Sequence, residues 1–166
     1  MRIYIEEILG VLDRLNLEDI KNLIRAIKKS DAIWVIGNGG SMSVATHFAE
    51  DLVKLVGKRA IAVADMSLLS MVANDEGVGE MFLYPLRRLT GPRDLIIAFS
   101  TSGKSVNILK VLNDKVLRCD KFLVTGLGGK EVSVDKIVIP CLDVQVIEDI
   151  FTTVIHLVCR FYRGVN

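Results

Sequence analysis

The chain has 166 residues, 51% of them apolar, which is enough for one domain with a sizeable core and is high for a soluble protein. With 21 basic and 20 acidic residues the net charge is +1, so composition gives no reason to expect a nucleic-acid or membrane partner. Cys119, Cys141 and Cys159 are odd in number and lack C-x-x-C spacing, which argues against a disulfide framework or zinc knuckle and for a reducing cytoplasm.

The elements follow from periodicity. Residues 3–15 place Ile5, Ile8, Leu9, Leu12 and Leu15 on one helical face; this acidic start does not read as a signal peptide. Asn16 opens a second helix with Ile20, Leu23, Ile24 and Ile27 as its buried side. Residues 32–36 are short, apolar and β-branched, and form the first strand. Gly37-Asn38-Gly39-Gly40-Ser41 follows, then a helix over 42–56 with Val44, Phe48, Leu52 and Leu55 inward.

Residues 60–63 are the second strand, 67–74 a short helix, and 81–89 a helix bent or shortened by Pro85. The third strand is 94–99, and the helix after it runs to about residue 117. Residues 121–125 and 136–140 are strands four and five, and a last helix spans 146–163. No apolar run approaches membrane-spanning length. Strands alternating with helices predict an α/β three-layer sandwich on a five-stranded parallel sheet. The flavodoxin-like order 2-1-3-4-5 would bring the carboxyl ends of strands one and three together, where ligands bind.

Two strand–loop–helix turns carry chemistry. Ser100, Thr101, Ser102 and Ser105, with Gly103 and Lys104, stand between the third strand and a helix start. Free backbone N–H groups and the helix dipole favour an anion there, and four hydroxyls exceed what capping needs. The turn is read as a phosphate cradle. Ala98, Gly103, Lys104 and Ser105 also approach the P-loop pattern, with Ala for the first glycine. The one loose carboxylate candidate is Asp143, and Gly37 to Ser41 would be unexplained, so no nucleotide cofactor is expected. The first loop, with three glycines at a helix mouth, suits close approach to a ligand.

His47 and Asp51 are four apart on one helix, with Glu50 beside them; alone, they read as a charged flank. The last helix is apolar almost all round and is expected to be buried, in part against a partner subunit. Asp149, Thr152 and His156 make a stripe in it. His156 reads equally as a core histidine bonded to Thr152 or as a functional group.

Together these residues resemble the SIS (sugar isomerase) domain, specifically the sedoheptulose-7-phosphate isomerase, or phosphoheptose isomerase, family. The matching stretches are Gly37 to Ser41, His47-Phe48-Ala49-Glu50, Val72 to Asp75, Ser100 to Gly103 with Ser105, Thr125-Gly126 with Gly128-Gly129, and Val154 to His156. The resemblance implies one SIS domain over 1–166, with residues 1–30 packing in a homotetramer. It implies an enediol isomerisation of sedoheptulose 7-phosphate to D-glycero-D-manno-heptose 7-phosphate. Asp51 and His156 would be the base and acid, and Asn38, Gly39, Gly40, Ser41, Asn74, Asp75, Ser100, Thr101, Ser102, Ser105 and Glu148 would bind substrate. Some members hold Zn²⁺, one per subunit, at positions aligning with His47, Asp51, Glu148 and His156. Asp51 stands where the family has glutamate, Glu148 where it has glutamine, Lys104 where it has asparagine, and Leu55 where it has arginine. Non-catalytic cousins that bind phosphosugar or a replication initiator protein are the alternative; they lack the acid/base pair.

Overall fold

The computed structural model describes residues 2–164. Helices α1 (Arg2–Asp13) and α2 (Leu17–Lys29) precede β1 (Ala32–Gly37). Helix α3 (Gly40–Asp51) runs on into a π-helical turn (Leu52–Val56) before β2 (Arg59–Ala62). Helices α4 (Met66–Asp75) and α5 (Leu83–Leu89) lead to β3 (Leu95–Ser100), and α6 (Val106–Asn113) to β4 (Asp120–Gly126). β5 (Asp135–Ile139) and α7 (Val144–Tyr162) complete the described chain. Among the described residues no helix is long and apolar enough to cross a membrane.

The sheet is parallel throughout, in the order 2-1-3-4-5 that the sequence predicts. The central strands β1, β3 and β4 are buried on both faces over most of their length and read as continuous apolar runs, while edge strand β2 leaves Ile61 52% exposed. Ile33, Val35, Leu95, Ile97, Phe99, Phe122 and Val124 face α1, α2, α3 and α7. Trp34, Ile36, Ile96, Ala98 and Leu123 face α4, α5 and α6. Phe99 anchors the first layer, meeting Phe48 of α3 and Phe151 of α7 edge-on, with ring centroids 6.0 and 5.2 Å away. At the amino end of the sheet, buried Asp94 accepts from Trp34 Nε1 at 2.9 Å and from the Gly91 N–H at 2.8 Å. Trp34 is the only tryptophan.

Local chemistry sets the boundaries. Asn16 caps α2 by accepting from the Glu18 N–H at 3.0 Å, and Ile20, Leu23, Ile24 and Ile27 are buried as expected. Pro85 lies in the first turn of α5, where a missing N–H loses no helical bond, so that helix starts only at Leu83.

One expectation needs correction. Helix α6 stops at Asn113 and not near residue 117, because Asp114 Oδ1 accepts from the Val116 and Leu117 N–H groups at 2.9 and 2.7 Å. These side-chain bonds hold the backbone in a turn that competes with helix. In α1, Val11 reaches the core, as does Leu15 just beyond the helix, while Ile5 and Leu9 stay 53% and 59% exposed. In α7 the flank that carries His156 is exposed in the single chain, while the other sides pack on the core.

Candidate active site

The register aligns the carboxyl ends of the strands: Gly37 pairs with Phe99, and Ser100 with Thr125. β1 hands the chain to one side of the sheet and β3 to the other, so their following loops lie side by side at the switch point.

The turn after β3 is held by its own hydroxyls. Ser100 Oγ accepts from the Gly103 N–H at 3.1 Å, and Ser102 Oγ accepts from the Lys104 N–H at 3.2 Å. Thr125 Oγ1 donates to the Ser100 carbonyl at 2.7 Å. A serine oxygen that accepts still has its O–H to donate, so the turn is shaped without losing its donors. Gly103 has φ +63°, and a Cβ there would lie 2.3 Å from Gly129 Cα. Ser105 is the N-cap residue of α6, yet its side chain makes no capping bond. Its hydroxyl and the N–H groups of Val106 and Asn107 therefore remain available to an anion, the Ile108 N–H being engaged by Asn107 Oδ1 at 3.1 Å. Thr101 is half-buried beside them, and Lys104 is exposed.

The first loop differs electrically. Gly39 has φ +53° and precedes α3. Glu148 of α7 lies directly over Gly40: a Cβ at Gly40 would come within 2.5–2.7 Å of its carboxylate. An internal carboxylate thus faces the positive end of α3, whereas the mouth of α6 faces none of the described acidic groups through a bond. Ser41 is buried. Asn38 Nδ2 donates to Asn107 Oδ1 at 3.0 Å, and Asn107 Nδ2 donates back to Asn38 Oδ1 at 2.9 Å. Asn107 went unnoticed in the sequence; its signal was a lone amide within the apolar stretch 106–112. Asn74 donates to Asp75 Oδ1 at 2.8 Å at the exposed end of α4. Among the described residues no hydrogen bond ties either of them to the two loops.

The remaining groups meet further along α3. His47 Nε2 and His156 Nε2 are 3.0 Å apart. Asp51 Oδ2 lies 3.7 Å from the first and 3.8 Å from the second. The spacing of four on α3 puts His47 and Asp51 on one face, and the packing of α3 on α7 brings up His156. The Asp51 side chain is only 14% exposed, against 51% for His156. The point equidistant from the three atoms lies about 2 Å from each, the usual Zn–N and Zn–O length. Two imidazoles and a carboxylate also form a donor set that such an ion favours. Glu50 Oε2 is 4.0 Å from His47 Nδ1, on the far side of that ring.

Glu148, expected as a fourth ligand, stands apart from this set. It is two turns, about 12 Å, back along α7 from His156, with its carboxylate at Gly40. Thr152, midway between them, donates to the Glu148 carbonyl at 3.4 Å and not to His156. Glu148 thus lies at the glycine-loop end of α3 and α7, and the His–Asp–His cluster lies further along the same two helices.

Comparison with known proteins defines the class. A family model described as SIS domain matches residues 4–115. The chain superposes on the phosphoheptose isomerase from Neisseria gonorrhoeae with a TM-score of 0.85, at 22% identity, covering 99% of this chain and 95% of that one. For the phosphoheptose isomerase from Francisella tularensis the TM-score is 0.87, at 22% identity, covering 98% and 94%. These two likenesses concern the fold. In sequence, the chain is 32% identical to the Helicobacter pylori phosphoheptose isomerase over 93% of its own length and 86% of the relative's. It is 33% identical to phosphoheptose isomerase 1 of Campylobacter jejuni over 83% and 80%. The chain belongs to the phosphoheptose isomerase family of SIS domains.

Proposed function

We propose that this protein is a phosphosugar aldose–ketose isomerase, interconverting sedoheptulose 7-phosphate and D-glycero-D-manno-heptose 7-phosphate through an enediol. The observation that carries this reading is the convergence of His47, Asp51 and His156, from two packed helices, on one cluster. The phosphate sits on Ser100, Thr101, Ser102 and Ser105, with Gly39, Gly40, Ser41 and Glu148 along the sugar chain and Asn74 and Asp75 at its margin. Gripping the phosphate far from the reacting carbons supplies positioning energy.

Asp51 takes the proton from the carbon next to the carbonyl, and His156 donates one to the carbonyl oxygen. The resulting enediol collapses when a hydroxyl proton leaves to His156 and Asp51 returns its proton to the neighbouring carbon. No atom is gained or lost. His47 lies against His156 and fixes its ring, while the low exposure of Asp51 keeps water from competing for its proton. Where Zn²⁺ is bound, His47, Asp51 and His156 would hold it, and it would polarise the carbonyl.

The whole chain is one SIS domain in a cytoplasmic homotetramer, and the exposed Ile5 and Leu9 on α1 support a covering subunit. The test is an isomerisation assay on heptose and hexose phosphates, with metal content measured on the same sample. Wild-type protein should turn over, and His156→Ala should lose about 10²–10⁴-fold in kcat with an unchanged melting profile. Phosphosugar binding without turnover by the wild type would instead favour a non-catalytic module.

A further inference from the structure

We propose that Asn107 is a positioning residue that clamps the first glycine loop to the phosphate turn through its amide pair with Asn38. The inference rests on the phosphosugar reading above, but not on turnover. The backbone ladder joining β1 to β3 ends at Gly37 and Phe99. Beyond it the two loops run on as separate segments, each shaped by its own glycine at positive φ. Among the described residues the Asn38–Asn107 pair is the one side-chain hydrogen-bonded link between Asn38–Ser41 and the segment from Thr101 to Asn107.

The link is strong for its size. Two antiparallel N–H···O bonds close a ring, so neither amide can rotate without losing both. Asn107 is 6% exposed, and its Oδ1 also accepts from the Ile108 N–H at 3.1 Å. Leaving such a buried amide unpaired is unfavourable, so the pair persists whether or not a ligand is present.

Two consequences follow for the site. Asn107 is the second residue of α6, so its side chain ties the first loop to the helix mouth that receives the anion. Asn38 has one amide N–H and its backbone N–H left for a ligand, since its carbonyl oxygen is already engaged. The pair therefore sets the gap between the main-chain donors of one loop and the hydroxyls of the other.

The experiment uses the full chain and two readouts, neither of which needs catalysis. One is calorimetric binding of sedoheptulose 7-phosphate; the other is hydrogen exchange at the amides of residues 38–41. In Asn107→Asp, an ionised carboxylate sets an oxygen against Asn38 Oδ1, replacing one bond of the ring by repulsion. Affinity at pH 8 should fall about tenfold or more, and the loop amides should exchange faster. Protonation of the new carboxyl restores a donor to Asn38 Oδ1, so the ratio of variant to wild-type Kd should shrink toward pH 5. The charged groups nearby are Lys104 on the turn, Glu148 at Gly40, and Lys110, which pairs with Glu80. They are common to both proteins, so the ratio cancels their own titration. Asn38→Asp, on the exposed side of the pair, gives the same pH signature if the buried variant does not fold.

Wild-type affinity and wild-type loop exchange in both variants would overturn the proposal. So would a loss of affinity that does not change with pH, which would indicate packing alone. A wild type that binds the phosphosugar without turnover removes the isomerase reading but not this one. A wild type that binds no phosphosugar, with loop exchange still faster in the variants, would keep the clamp and remove its role toward substrate.

Discussion

Gly103→Ala tests how the phosphate turn is built. The residue has φ +63°, a conformation that costs an alanine about 1–2 kcal/mol. Its new Cβ would also stand 2.3 Å from Gly129 Cα and 2.9 Å from Gly129 N. Carbon atoms rest at about 3.5–4.0 Å, so two backbone segments must part by about an ångström or more. Strain of that kind adds about 1–3 kcal/mol, for a total of about 2–5 kcal/mol. At about 2–4 °C per kcal/mol for a chain of this size, Tm should fall by about 4–20 °C. Gly57→Ala is the control, because Gly57 has φ +74° with open space around its Cβ position. It should lose only the conformational part. Melts of both variants at one protein concentration, with phosphosugar binding measured alongside, give the comparison. A Gly103→Ala protein that melts no lower than Gly57→Ala would refute the reasoning, since the contact with Gly129 would then contribute nothing.

Lys104 is exposed in the phosphate turn and belongs to none of the ion pairs among the described residues. Lys104→Asn should raise KM for the phosphosugar about two- to fivefold at low salt, with kcat unchanged and the difference fading as ionic strength rises; a salt-independent difference would count against direct pairing. Tyr4 Oη donates to Asp149 Oδ2 at 2.6 Å, and that bond to a carboxylate pushes the phenol pKa up to about 12. The neutral phenol is the donor, so the contact between α1 and α7 holds below the ordinary phenol value near 10 and is lost as pH rises toward 12. Phenolate absorbance should therefore show a late step that Tyr4→Phe removes; its persistence in the variant would contradict the assignment.

The sheet was legible because its central strands are buried on both faces and so stand out as short apolar runs between polar turns. Order 2-1-3-4-5 and the adjacency of the loops after β1 and β3 followed from alternation of strands and helices. His47 and Asp51 were visible as a pair on one helix, but pairing with His156 depends on how α3 packs against α7, 109 residues apart in sequence. Only the family resemblance joined them. The same limit hid the Asn38–Asn107 ring, whose partners are 69 residues apart. Periodicity carried α6 too far because Val116 and Leu117 continue the apolar pattern, while Asp114 holds their N–H groups outside the helix.

The single indole, Trp34, is bound to Asp94 at the amino end of the sheet and packs on the layer opposite α3 and α7. Its intrinsic fluorescence will accordingly follow loss of the native fold and stay silent when a sugar phosphate arrives. Titrations of ligand need an extrinsic dye on the other rim, and quenching data from the native chromophore speak only to integrity.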